Sequence, residues 1–232
     1  MTTVQKIPGL FIVGTDTNVG KTYVGAMIAR SLKAAGHRVG VYKPAASGCR
    51  RVGDRLVCDD ALLLWNAAGQ PGDLDRVCPQ CFEAPLAPHL AARAEGKEVN
   101  RKFLRDGLDY WLSCSDVVLV EGVGGLLSPL DDNDYVVDLA HDFGFPLVVV
   151  ARNALGTINH TLLTLHAAHT FYNGLNVAGI ILNQPAPPGD DPSIISNRHE
   201  IAARSRVPVL AEICWNAMDF EGKLDWFSLA QR

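Results

Sequence analysis

The 232-residue sequence predicts an α/β fold in which helices cover both faces of a doubly wound, mostly parallel sheet. Short, nearly continuous apolar segments alternate along the chain with longer segments of helical periodicity. This is the pattern of parallel strands buried on both faces and of the helices that connect them. The first apolar segment leads into a glycine-bounded loop and a helix, which is typical of a nucleotide-binding sheet. Since no repeat, low-complexity tract or linker interrupts the chain, we expect a single domain spanning residues 1–232.

The strands are predicted from apolar segments that are too short for helices. They are residues 10–13, 38–44, 116–122, 146–151, 177–183 and 207–210. The helices are predicted from apolar residues at helical spacing and from capping residues at their ends. They are residues 23–32, a helix starting at Asp59 and Asp60, and residues 100–114, 135–143, 156–171 and 194–204. Residues 45–58 and 185–192 are predicted loops. Residues 71–88 contain four prolines without a clear period, and Phe82 favours an ordered loop there.

The segment from Gly14 to Thr22, hereafter the phosphate loop, has the sequence GTDTNVGKT between the first strand and the first helix. Backbone N–H groups of such a loop and the helix N-terminus point at phosphates. Lys21 is expected to reach the β- and γ-phosphates, and the Thr22 hydroxyl to hold Mg²⁺. The usual motif has four residues between its glycines, whereas Gly14 and Gly20 enclose five. The context nevertheless predicts a P-loop NTPase-like fold that binds ATP.

Charge and hydropathy give no sign of a nucleic-acid or membrane partner. The chain carries 21 basic and 25 acidic residues, and its pI is about 5.9. The basic pair Arg50–Arg51 is too short to change this. Residues 1–9 lack the apolar core of a signal peptide, and no apolar run approaches ~18 residues. We therefore expect a cytoplasmic protein.

Six cysteines are scattered along the sequence: Cys49, Cys58, Cys78, Cys81, Cys114 and Cys214. Cys78 and Cys81 have the spacing of a metal-binding or redox pair. No second Cys-x-x-Cys or histidine pair completes a zinc site, and no thioredoxin-like context surrounds them. Free thiols in a reducing compartment are the expectation.

Polar residues follow or end four of the predicted strands, namely Lys43, Glu121, Asn153 and Asn183. Ligands of doubly wound sheets bind at the carboxyl ends of the strands, so these residues are expected near the phosphate loop. Glu121 stands where nucleotide-hydrolysing folds keep the carboxylate that acts on Mg²⁺. Lys43 could stabilise charge on a transferring phosphoryl group. Asn183 could bind a base edge or start a turn before Pro185.

Four segments together resemble the dethiobiotin synthetase family: residues 14–22, 43–48, 121–126 and 156–165. The similarity runs in order from about Leu10 to Ile213. It implies a single-domain, Mg²⁺- and ATP-dependent ligase of biotin synthesis that works as a homodimer. Such a ligase closes the ureido ring of dethiobiotin from 7,8-diaminopelargonic acid and CO₂. The implied route passes through a carbamate and a carbamic-phosphoric anhydride.

The resemblance also implies roles for individual residues. The implied catalytic residues are Lys43, Lys21 and Thr17. The implied ATP-binding residues are Asp16, Thr17, Asn18, Val19, Gly20, Lys21, Thr22, Tyr23, Asn183, Val207, Pro208 and Val209. No essential role is assigned to Asn18, because some members of the family carry glutamate there. The implied metal ligands are Thr22, Asp60 and Glu121, with Asp59 as an alternative to Asp60. The implied substrate-binding residues are Thr17, Lys43, Ser47, Gly124, Gly156, Thr157, Ile158 and Asn159.

The helix that opens at Gly156–Asn159 is a predicted anion site, because four free N–H groups and the positive end of the dipole lie there. The carboxylate at the far end of the substrate needs such a partner. The resemblance suggests that this helix reaches across a two-fold dimer interface into the partner's site. The alternative is an amphipathic helix packed on its own sheet.

Two other functions remain open from the sequence. One is a partner-regulated ATPase switch similar to chromosome-partitioning proteins, which carry a second lysine after the first glycine of the loop. No lysine lies between Gly14 and Lys21, and no basic surface or amphipathic tail for DNA or membrane is evident. The other is an amidoligase acting on a different carboxylate, against which the Gly156–His160 segment argues.

Overall fold

The computed structural model describes residues 7–187 and 189–232. Its strands are β1 (Gly9–Gly14), β2 (Val39–Tyr42), β3 (Ala45–Ala46), β4 (Arg50–Val52), β5 (Arg55–Val57), β6 (Gln80–Cys81), β7 (Val117–Gly125), β8 (Leu147–Arg152), β9 (Val177–Asn183) and β10 (Val209–Ile213). Its α-helices are α1 (Lys21–Ala34), α2 (Asp59–Ala67), α3 (Leu74–Val77), α4 (Pro88–Ala94), α5 (Arg101–Cys114), α6 (Val136–Phe143), α7 (Thr157–Thr170), α8 (Ile194–Arg204) and α9 (Trp226–Ala230). None of these helices has the length and apolar character needed to span a bilayer.

A six-stranded sheet in the order β10-β9-β8-β1-β7-β2 forms the centre of the molecule. Every neighbouring pair in it is parallel. All six residues of β1 are buried, as are residues 117–120 of β7 and the apolar residues of β8. The continuous apolar strands therefore lie in one hydrophobic core with the helices. The predicted fold class, a doubly wound parallel sheet of the P-loop NTPase type, is confirmed.

The sheet order brings the site together. Strand β1 lies between β8 and β7, with β9 and β2 one strand further out on either side. Because the strands are parallel, the segments that follow them emerge at one edge of the sheet. The phosphate loop, the start of α7, Asn183 and Lys43 all lie in such segments or at strand ends.

The two long segments predicted as loops are partly regular structure. Residues 45–58 contain β3 and an antiparallel hairpin of β4 and β5, and residues 71–88 contain α3 and β6. Strands β3 and β6 pair in a small parallel sheet. Elements of two to four residues are too short to show a period, which is why the sequence did not predict them. The ordered segment expected around Phe82 is confirmed, and Phe82 itself is buried.

Several boundaries differ from the prediction. Strand β2 ends at Tyr42, so Lys43 lies just beyond it, and β7 continues past Glu121 to Gly125. Helix α4, which begins with Pro88, was not predicted. Strand β10 starts at Val209, two residues later than predicted, and extends to Ile213.

Candidate active site

The phosphate loop connects β1 to α1 through a backbone that requires glycine at position 20. Gly20 has φ of 94°, in the left-handed region, and a Cβ there would collide with the side-chain amide of Asn183. Helix α1 then begins at Lys21, whose ammonium group donates a 3.4 Å hydrogen bond to the carbonyl of Asp16. Lys21 is thereby folded back over its own loop, where a bound phosphate chain would lie.

Lys43 stands between two carboxylates beside the phosphate loop. Its Nζ lies 2.6 Å from Glu121 Oε1 and 3.1 Å from Asp60 Oδ2. The Thr22 hydroxyl, on the first turn of α1, donates a 2.9 Å hydrogen bond to the same Glu121 oxygen. Lys43 and Glu121 are 2% and 1% exposed. The structure therefore brings together the lysine, hydroxyl and two carboxylates that the sequence placed in four separate segments.

Burial and charge act against each other in this cluster. Burial opposes the charged form of Lys43, but Glu121 and Asp60 outweigh it and raise the pKa of Lys43 above its usual value. Burial raises the pKa of Glu121 against the attraction of Lys43. Burial also lowers the pKa of Lys21, whereas the nearby Lys43 keeps the pKa of Asp60 below its usual value despite desolvation. The site holds two ammonium groups ready to meet anionic phosphate.

The structure distinguishes the two adjacent aspartates at the start of α2. Asp60 faces Lys43, whereas Asp59 Oδ1 accepts a 2.7 Å hydrogen bond from Arg50 Nε on the β4–β5 hairpin. Asp59 therefore belongs to the exposed surface beside the hairpin, and Asp60 is the carboxylate that faces the phosphate loop.

The residues present fit a Mg²⁺ ion of the kind that binds with a nucleotide. Glu121 Oε2 is buried without a hydrogen-bond partner, and Asp60 and the Thr22 hydroxyl lie nearby. In the described part of the chain, no three histidine, cysteine, aspartate or glutamate side chains form a ready metal centre. Mg²⁺ does not need one, because it binds through one or two carboxylates and completes its shell with water and substrate phosphate.

Asn183, at the end of β9, bonds the phosphate loop directly. Its Nδ2 donates a 2.9 Å hydrogen bond to the carbonyl of Val19, while its buried Oδ1 has no partner. That oxygen could accept a hydrogen bond from an amino group of a nucleotide base. Asn153 instead accepts a 2.8 Å hydrogen bond from Asn197, so it braces α8 against β8.

The structure corrects the assignment of Val207, Pro208 and Val209 to the adenine site. Val209 is the first residue of β10, and the strand pairs Ile213 with Asn183. The three residues therefore lie at the opposite edge of the sheet, ~13 Å along the strand from Ile213. The prediction failed because a segment before a parallel strand and one after it occupy opposite edges.

A segment that the sequence did not suggest lies where the adenine site was expected. After Ile213 the chain continues over the start of α1, where the Tyr23 hydroxyl donates to the carbonyl of Ala217. Trp215, 41% exposed, lies in this segment. The contact between this segment and Tyr23 forms only in the folded chain, and no sequence motif indicated it.

The predicted substrate-binding residues lie in three places. Thr17 is exposed on the phosphate loop, and a Cβ at Gly124 would lie 3.7 Å from its Oγ1, so these two residues are neighbours. Ser47 is half-buried just beyond β3. At the start of α7, the Thr157 N–H donates to the carbonyl of Ala154. Fewer than the four expected N–H groups are therefore free there. The Thr157 hydroxyl is buried without a partner, whereas Asn159 is exposed.

Solved structures support the fold. The chain is similar to the septum site-determining protein MinD complexed with Mg-ADP from Pyrococcus horikoshii, with a TM-score of 0.53 and 15% identity, covering 89% of this chain and 81% of that one. It is also similar to the signal recognition particle receptor FtsY from Elizabethkingia anophelis, with a TM-score of 0.52 and 16% identity, covering 99% and 67%. At these identities the likeness shows the fold alone.

Sequence relatives are much closer. Residues 8–218 match a family model described as an AAA domain. The chain is 41% identical to the ATP-dependent dethiobiotin synthetase BioD of Rhodopirellula baltica, over 88% of this chain and 82% of the relative. Identity to the protein of that name from Anaeromyxobacter dehalogenans is 44%, over 89% and 90%. Identity to the protein of that name from Bacillus cereus is 39%, over 91% of this chain and 85% of the relative. This chain belongs to the ATP-dependent dethiobiotin synthetase family.

Proposed function

We propose that the chain is a single ligase domain that forms dethiobiotin from 7,8-diaminopelargonic acid, CO₂ and ATP. The observation that carries this proposal is the position of Lys43, held between Glu121 and Asp60 next to the phosphate loop. A nucleotide hydrolase needs the phosphate loop, its lysine, the metal ligands and a group that positions the attacking water. The additional buried ammonium group suits a reaction in which phosphate is transferred to an anionic acceptor.

In this proposal the phosphate loop, residues 14–22, binds the phosphates of ATP, and Lys21 contacts the β- and γ-phosphates. Thr22, Asp60 and Glu121 would hold Mg²⁺, which neutralises charge on the phosphates when bound. Asn183 Oδ1 and the segment from Cys214 to Ala217 form the base site. The unpartnered Asn183 oxygen and the position of that segment over α1 support this assignment.

The reaction starts when a neutral amine of the substrate captures CO₂ to form a carbamate and releases a proton. A carbamate oxygen then attacks the γ-phosphorus of ATP, giving a carbamic-phosphoric anhydride and ADP. The second amine attacks the activated carbonyl, closes the five-membered ring and expels phosphate. Lys43 and Lys21 stabilise negative charge as the anionic carbamate meets the phosphoryl group. Thr17, Ser47 and Gly124 line the space for the amines and the carbamate.

The start of α7, from Gly156 to Asn159, holds the carboxylate of the substrate in this proposal. The buried and unpartnered hydroxyl of Thr157 supports a polar ligand there. We further propose a homodimer in which α7 of one subunit completes the site of the other. Leu155 and Leu163, which are 85% and 59% exposed, support a partner surface at this helix.

The direct test of this function is product formation by the purified chain. Incubation with Mg-ATP, bicarbonate and diaminopelargonate should yield dethiobiotin, identified by mass, and an equal amount of ADP. Reactions without diamine or without bicarbonate serve as controls and should release little ADP. If ADP forms at the same rate without the diamine and no dethiobiotin appears, the chain is an ATPase and not this ligase.

We expect Glu121→Gln and Asp60→Asn each to raise the Mg²⁺ concentration that gives half-maximal activity. Each substitution removes an anionic oxygen of the type that Mg²⁺ prefers, whether it binds directly or through water. Titration of activity with Mg²⁺ at fixed ATP measures the effect. Asp59→Asn is the matched control, since the Asp59 carboxylate accepts a hydrogen bond from Arg50. A shift with Asp59→Asn and none with Asp60→Asn would show that the ligand is the neighbouring aspartate.

The crossed dimer predicts that two inactive variants restore activity when mixed. We choose Lys21→Ala, which disables the phosphate loop, and Asn159→Asp, which repels the substrate carboxylate. In shared sites, each heterodimer has one site with both lesions and one with neither. Equal mixing makes about half of the dimers mixed, so about a quarter of wild-type sites should return.

The control for this experiment mixes Lys21→Ala with Lys43→Ala, which lie on the same side of the site and should not complement each other. Subunit exchange is confirmed with differently tagged chains. If exchange occurs and activity of the first mixture stays at the sum of the parents, each site is built from one chain.

A further inference from the structure

Four cysteines meet beside the active site: Cys49, Cys58, Cys78 and Cys81, hereafter the thiol cluster. Pairing of β3 with β6 and a 2.9 Å hydrogen bond from Cys49 N–H to the carbonyl of Phe82 bring Cys49 next to Cys81. The β4–β5 hairpin then returns the chain to Cys58, the N-cap of α2. Two cysteines that flank a hairpin thus join the pair spaced Cys-x-x-Cys. The sequence hid this second pair because eight residues separate its members.

The four thiols of the cluster are close neighbours. Cys81 Sγ lies 3.6 Å from Cys78 Sγ. Cys49 is close enough to Cys58 and to Cys81, and Cys58 to Cys78, for each thiol to shift the pKa of its neighbour. Each of the four thiols thus has two others of the cluster in its neighbourhood. In a tetrahedral zinc site with Zn–S distances of ~2.3 Å, neighbouring sulfurs are ~3.8 Å apart, close to the separation of Cys78 and Cys81.

The cluster has the environment of a structural metal site. Cys49, Cys58 and Cys78 are buried and Cys81 is half-buried, whereas Cys114 and Cys214 are exposed and lie elsewhere. The thiolate is the form of cysteine that binds metal. An all-sulfur donor set favours a soft or borderline cation over Mg²⁺ or Ca²⁺.

We propose that Cys49, Cys58, Cys78 and Cys81 form a tetrathiolate site for Zn²⁺ that fixes the start of α2. Within the described residues no three metal-binding side chains already surround a common centre. Loading therefore requires the thiols to give their protons to solvent and turn from one another toward the cation. The coordination involves no oxidation or reduction, and zinc sites of this composition form in reducing compartments.

The position of the cluster gives the metal a role. Cys58 accepts a 3.4 Å hydrogen bond from Ala61 N–H and so caps the helix whose second residue is Asp60. Zinc would tie this cap to the β3–β6 pair, and so hold Asp60 against Lys43. We therefore expect loss of zinc to raise the Mg²⁺ requirement of the ligase, a consequence that rests on the proposed function. The zinc site itself does not depend on the proposed function.

The test measures metal directly. The chain, purified under reducing conditions and incubated with Zn²⁺, is freed of weakly bound metal and analysed for zinc. We expect about one zinc per chain. Replacement by Co²⁺ should produce thiolate-to-metal charge transfer and the intense visible bands of tetrahedral cobalt. The Cys49→Ser/Cys81→Ser variant should lose the stoichiometric metal, while Cys114→Ser/Cys214→Ser keeps it.

Folding of the variants is checked by circular dichroism and by binding of an ATP analogue. If Cys49→Ser/Cys81→Ser does not fold, the zinc content and cobalt spectrum of the unaltered chain decide. Wild-type protein that retains no zinc, or zinc retained equally by the folded cluster variant, overturns the proposal. A Cys78–Cys81 disulfide as the form isolated under these reducing conditions also overturns it. None of these outcomes bears on whether dethiobiotin is made.

Discussion

Replacing Lys21 by alanine is expected to lower kcat/KM by about 10²–10³. Lys21 begins α1, is buried, and bends over the phosphate loop to the carbonyl of Asp16. Its ammonium group thus lies beside the loop that is predicted to bind the β- and γ-phosphates, and its removal is expected to weaken phosphate binding and transition-state stabilisation together. Steady-state kinetics at varied ATP measure the effect.

Lys33→Ala is the matched control for this prediction. Lys33 lies on the same helix, exposed and three turns from the loop, so its loss should leave kcat/KM nearly unchanged. Turnover of Lys21→Ala within tenfold of the unaltered chain would contradict the assignment of residues 14–22 as the phosphate site.

Replacing Lys43 by alanine is expected to reduce kcat strongly with a smaller change in ATP affinity. Lys43 follows β2 and contacts Glu121 and Asp60, and it lies outside the phosphate loop. It is therefore placed to stabilise charge that develops in the transition state more than to bind the ground state. Calorimetry of ATP binding beside steady-state kinetics separates the two effects.

Removal of Lys43 also leaves two carboxylates without their buried partner, and breaking such a pair typically destabilises a protein by about 3–5 kcal/mol. Lys43→Met keeps most of the side-chain volume, so comparison of the two variants separates packing from charge. Thermal unfolding with and without Mg²⁺ measures the structural cost. Large loss of ATP affinity with unchanged turnover would contradict the assigned role.

The elements of the site that the sequence predicted are those with a strong local signal. The phosphate loop is a contiguous motif between a strand and a helix, and Glu121 follows four apolar residues of a buried strand. Strand polarity then placed Lys43 and Asn183 at the same edge. These inferences need only the order of elements and the direction of parallel strands.

The features that the sequence did not predict depend on contacts between distant segments. The choice between Asp59 and Asp60 is made by Arg50, which reaches Asp59 from a hairpin that carries no periodic signal. Val207–Val209 was wrongly assigned to the adenine site. The strand was predicted to start two residues early, and its beginning was placed at the edge of the sheet where its end lies. The meeting of Cys49 and Cys58 with Cys78 and Cys81 follows from the pairing of two-residue strands, which no propensity predicts.

The transfer of oxygen from CO₂ to phosphate tests the proposed chemistry most directly. The reaction is started with ¹⁸O-labelled CO₂ in unlabelled water and stopped before the label exchanges with solvent. If a carbamate oxygen attacks ATP, the released phosphate carries one ¹⁸O and the ureido carbonyl of dethiobiotin carries the other. Phosphate without the label, formed together with labelled dethiobiotin, would contradict the carbamic-phosphoric anhydride and with it the account of this site.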